Sequence, residues 1–130
     1  MMALRCFKLA GLYLIAGMSL GVFMGATRQF NLAPVHAHIN LLGWTLLALV
    51  GLIFTRLPRL AETKLAKAFF WIYNIAVPIS MLLLAAVVMG KQGLDALLGV
   101  TSAGIWVGGV CFALNLIFNL RIDDITATAK

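Results

Sequence analysis

His36 and His38 are the only histidines among 130 residues, and they stand two apart in the stretch from Pro34 to Trp44, Pro-Val-His-Ala-His-Ile-Asn-Leu-Leu-Gly-Trp. That stretch opens a long apolar run, which sets both imidazoles at the edge of a membrane or just inside it. An ionisable group at that depth is costly and usually serves a function. Imidazole ligates both haem iron and copper. The pair is read first as two axial ligands of haem, with copper as the alternative. Two interfacial histidines hydrogen-bonded to neighbours, with no cofactor, are the third possibility.

The spacing constrains the chemistry. Pro34 suits the first turn of a helix, where its missing N–H costs nothing. On such a helix, residues two apart are separated by about 200°, so the two rings leave on nearly opposite faces. A single ion would need a spacing of three or four, and one chain cannot place both rings on the two sides of one haem. If both histidines are ligands, a bis-histidine site must lie between chains, with His36 of one protomer and His38 of the next. A closed ring of identical subunits satisfies that requirement for every protomer.

The neighbours suit such a site. Asn40 and Thr45 are candidate hydrogen-bond partners for the ring nitrogens that do not ligate. Gly43 leaves room for a flat ring. Arg28 is a candidate partner for haem propionates, and Lys91 is a weaker one that fits snorkelling to the membrane surface better. Met18 and Met24 in the first span are the soft ligands that a copper site would recruit. Cys6 and Cys111 belong to no CxxC or spaced Cys/His set, so neither a disulfide framework nor a zinc site is indicated.

The elements that must carry these residues follow from composition. The chain is 63% hydrophobic and 11% charged, with a mean hydropathy of +1.05. A soluble domain of this size has nowhere to put so much apolar surface. A membrane-crossing helix needs about 20 apolar residues, and four runs qualify: 8–27, 34–55, 65–90 and 94–120. The expected fold is an all-α, single-domain membrane protein of four antiparallel spans. The first run is longer than a signal-peptide core and is kept as a mature helix.

The net charge of +6 sits in short clusters between spans, as membrane anchors do, and is not a nucleic-acid signal. Eight of the ten basic residues fall on one side, namely Arg5, Lys8, Arg56, Arg59, Lys64, Lys67, Arg121 and Lys130. Only Arg28 and Lys91 fall on the other. Both termini are therefore expected in the cytoplasm of a bacterial inner membrane, with the histidine pair near the outer face. Gly17, Gly21 and Gly25 in the first span, and Gly104 and Gly108 in the fourth, form small-residue faces for helix packing. Pro78 is expected to kink the third span. Tyr13, Trp71 and Tyr73 are expected in an interfacial belt, and Trp44 and Trp106 inside. Residues 122–130 read as a solvated tail.

The stretch from Pro34 to Trp44 resembles segments of the haem–copper oxidase and nitric oxide reductase superfamily. In the large subunit of that superfamily, twelve helices form three pseudo-equivalent four-helix arcs, and a His-x-His motif on the second helix of the third arc ligates two different haems. The resemblance covers about eleven residues and implies that this chain is one such arc, a third of the large subunit. It implies a homotrimer with b-type haem shared between protomers, exchanging electrons with a respiratory partner or quinol, or sensing redox state. Only His36 and His38 carry over. The additional histidines of the copper centre are absent, and no carboxylate lies inside a span, Asp95 standing at the edge of the fourth where the connection meets it. The resemblance therefore points to electron transfer rather than a complete oxidase. A cofactor-free assembly factor for a respiratory oxidase is a further alternative.

Overall fold

The computed structural model describes residues 2–126. It is all-helical, and four of its helices are long and apolar enough to cross a membrane. The first, α1, is Met2–Thr27. It begins earlier than the apolar run alone indicates, because Arg5 and Lys8 extend its first turns. It ends at Arg28, whose φ of 56° is left-handed. That conformation terminates a helix and costs a non-glycine residue about 1 kcal/mol.

The second span, α2, runs through three segments without a break: Ala33–His38 is α-helical, Ile39–Thr45 is a π-helix and Leu46–Arg56 is α-helical again. A short 3₁₀ turn, Phe30–Leu32, leads into it. Pro34 sits in the first turn, the place its ring permits. The π segment is marked by the Leu46 N–H, which bonds the Leu41 carbonyl five residues back. Such stretches are rare and occur often at functional sites.

The third span, α3, is Lys64–Val88. Thr63 caps it by accepting from the Ala66 N–H at 3.0 Å, and the helix continues through Pro78. It closes in a Schellman motif: the Lys91 N–H bonds Ala86 O and the Gly90 N–H bonds Val87 O, with Gly90 at a φ of 91°. The fourth span, α4, is Asp95–Asn119. The tail expected after it is in part a short helix, Ile122–Thr126, anchored by an ion pair from Arg59 to Asp124. Residues 127–130 of that tail lie outside the described residues.

The spans pack as two hairpins, α1 on α2 and α3 on α4, joined where the start of α2 meets α3. The main core holds Ala10, Leu47, Val50, Phe54, Phe69 and Tyr73, and the rings of Phe54, Phe69 and Phe112 pack across α2, α3 and α4 with centroids 5.2–6.0 Å apart. A smaller cluster of Met24, Leu32 and Val35 lies near the start of α2. Much of the apolar surface of each span faces outward. In water that surface would cost far more than a domain this size can offset. The four helices are consistent with a multi-pass membrane protein.

Two aromatic assignments are corrected. Tyr73 is 1% exposed and belongs to the core, not to a belt, while Trp106 is 69% exposed and faces outward. Both helices are apolar all round, so no polar stripe in the sequence reveals which side faces in. The glycine faces serve packing within the chain at Gly17, Gly21, Gly104 and Gly108, where a Cβ would meet Asn40, His36, Ala76 and Tyr73 in turn, while Gly25 has open space.

Candidate functional site

The α-helical first turns of α2 send the two histidines to different neighbours. His36 turns toward α1 and lies on Gly21, where a Cβ would come within 2.9 Å of its ring. Its Nδ1 is 2.9 Å from the carbonyl of Gly17. A carbonyl only accepts, so Nδ1 carries the proton. Asn40 Nδ2, 3.4 Å from the same nitrogen, is then a neighbour and not its donor. Asn40 instead donates to the His36 carbonyl at 2.9 Å and fills the space over Gly17.

His38 turns the other way. Its Nδ1 donates to the carbonyl of Pro34 at 2.7 Å. It lines a groove of about 310 Å³ between α2, α3 and α4, with Leu42, Ser80, Met81, Leu84 and Ser102. Both rings therefore carry a proton on Nδ1, and in the neutral imidazole that leaves the lone pair on Nε2. Neither Nε2 has a hydrogen-bond partner among the described residues. A histidine held through Nδ1–H by a backbone carbonyl is oriented to ligate through Nε2.

Beside His38 is a hydroxyl cluster that the sequence does not signal. Ser80 is 1% exposed, and its Oγ lies 3.0 Å from Thr101 Oγ1 and 3.3 Å from Ser102 Oγ. Only their matching depth in α3 and α4, counted from the shared connection, hints that they meet. Hydroxyls suit the interior of a membrane bundle because they satisfy one another.

The remaining candidates separate. Gly43 does make room for a flat ring, but that ring is the phenol of Tyr13 on α1, which occupies the space a Cβ would need. Tyr73 donates to the carbonyl of Leu42 in the same π segment at 3.2 Å. Thr45 bonds neither histidine and lines a separate apolar groove with Phe7 and Trp44. Arg28 and Lys91 are exposed and form no ion pair among the described residues. Met24 is buried while Met18 is 61% exposed, so the two do not converge as copper ligands would. Among the described residues no three His, Cys, Asp or Glu side chains form a group able to hold a metal.

The model of one family, described as a protein of unknown function (DUF2871), matches residues 3–118, and the chain belongs to that family. No curated protein matches it, and no solved structure does.

Proposed function

We propose that this member of the DUF2871 family is a membrane cytochrome that holds b-type haem between protomers, with His36 of one chain and His38 of the next as axial ligands. The observation that carries the reading is the paired geometry of the two Nδ1 atoms, each set against a backbone carbonyl. Both Nδ1–H groups are engaged by backbone carbonyls, at 2.9 and 2.7 Å, and both Nε2 lone pairs are left unclaimed on different sides of α2. The Gly17 and Pro34 carbonyls would orient each ring and raise the basicity of its ligating nitrogen.

The residues present fit the group. The groove beside His38 is apolar on most of its wall, and His36 stands on another side of α2, against α1; in the proposed assembly each chain would supply one ligand to each of two sites. A homotrimer, the count suggested by the resemblance of residues 34–44 to one oxidase arc, would complete three such sites. Haem ligated on both sides by imidazole supplies one-electron redox chemistry and presents no open position to a substrate. Electron transfer or redox sensing follows, with a quinol or respiratory protein as the exchange partner. Arg28 is the cation proposed to meet the propionates. The lysine and arginine distribution favours both termini on the cytoplasmic side and the histidines near the outer face, which in a bacterium would be the periplasmic face of the inner membrane.

The test is a visible spectrum of the purified protein from haem-replete cells, with iron and copper quantified. A sharp reduced α-band with iron is expected, in an oligomer. Colourless protein, or copper without iron, overturns the reading.

A further inference from the structure

At the end of the bundle away from the histidines, two neighbouring depressions share one side chain, Arg5. One, of about 480 Å³, is lined by Arg5, Glu62 and Lys67. The other, of about 540 Å³, runs between α1 and α3 past Arg5, Lys8, Leu9, Phe70 and Ile75. The first is polar over half of its wall, and the second is mostly apolar. Three cations thus stand around one mouth against a single carboxylate. None of the four is ion-paired among the described residues. Elsewhere Arg59 has found its acid, Asp124.

We infer that these depressions form one binding site for an anionic glycerophospholipid. Its phosphate sits among Arg5, Lys8 and Lys67, and one acyl chain lies along Leu9, Phe70 and Ile75. The division into a charged mouth and an apolar channel matches the two ends of such a molecule. The excess of positive charge selects an anionic headgroup over a zwitterionic one. Glu62, at the rim, accepts from a headgroup hydroxyl such as those of phosphatidylglycerol. Each cation at a membrane surface favours an acidic lipid by about fivefold.

Native mass spectrometry of the full-length protein, released from vesicles of equal phosphatidylglycerol and phosphatidylcholine, tests this. Phosphatidylglycerol should be retained over phosphatidylcholine by at least about fivefold. Arg5→Gln with Lys67→Gln should abolish the preference, with helix content by circular dichroism unchanged. Ile75→Trp alters an exposed groove position and keeps the cations, and it should lower retention of the lipid. Lys91→Gln, at the opposite end, should change nothing. Equal retention of the two lipids, a preference that survives the double substitution, or displacement of the lipid by millimolar inorganic phosphate would overturn the inference.

Discussion

Around Thr63, Asn115 and Asn119, each polar side chain closes onto another. Asn115 is fully buried, donates to the Leu60 carbonyl at 2.9 Å and accepts from Thr63 at 2.8 Å and Asn119 at 3.0 Å. At the histidine end, each ring closes only one of its two nitrogens. Burying a polar group without a partner costs roughly 1–3 kcal/mol. The saturated end therefore reads as a fastening of the short turn Pro58–Ala61 to α3 and α4. The unsaturated end has lone pairs to offer a ligand. The same contrast applies to the backbone: α2 changes to a π-helix beside the histidines and is regular where it joins the main core.

The largest effect should come from the histidines. His36→Ala and His38→Ala should each remove the haem spectrum completely while helix content is retained, because each proposed site needs both residue types. A spectrum that survives either substitution breaks the contrast. Arg28→Gly gives a finer reading at the same end. Glycine relieves the left-handed backbone, so the fold should gain about 1 kcal/mol, while haem retention in detergent should fall.

Next is Gly43→Ala, whose new methyl enters the Tyr13 ring. A loss of about 1–3 kcal/mol in detergent unfolding is expected, with partial recovery when Tyr13→Ala is added, since the two sites are coupled. Asn115→Leu should cost a similar ~1–3 kcal/mol, because the Asn119 amide loses its acceptor and Thr63 and the Leu60 carbonyl are left only with each other. Asn74→Leu is its control. Asn74 Oδ1 is the one buried side-chain nitrogen or oxygen without a partner among the described residues, so losing it should shift stability by less than about 1 kcal/mol. If Asn74→Leu costs as much as Asn115→Leu, Asn74 has a partner in a neighbouring protomer or lipid.

The smallest effect concerns pH. The Asp124 carboxyl is held below the usual carboxylate range, first by the Arg121 N–H and also by Arg59. A group with a lowered folded value stabilises above its unfolded value and loses that contribution as pH falls through the folded one. Acidification should therefore lower the hydrogen-exchange protection factors (rates relative to the unstructured chain at the same pH) across Ile122–Thr126, and Asp124→Asn should do so already at neutral pH. No change with either would mean that apolar contacts hold this helix.

Much of the fold is legible because lipid imposes a length. Four apolar runs separated by short charged connections allow few arrangements of an all-helical chain. The opposite directions of His36 and His38 are legible too, from helical geometry and Pro34. The rest was hidden for a common reason. In a span apolar on every side, nothing in the residue pattern says which face meets a neighbour. So Tyr73 turned out buried and Trp106 exposed, Gly43 received the ring of Tyr13, and Ser80, Thr101 and Ser102 met without warning. The π segment has no marker in the sequence beyond a glycine.

The chain's own residues, then, determined the spans, the start of α2 and the divergence of its two imidazoles, because hydrocarbon thickness and helical pitch act locally. Only the packed structure decided which carbonyl each ring meets. The Gly17 carbonyl that engages His36 belongs to another helix, and its approach depends on a glycine surface and a register between α1 and α2. That contact is what assigns the proton to Nδ1 of His36 and leaves Nε2 to act.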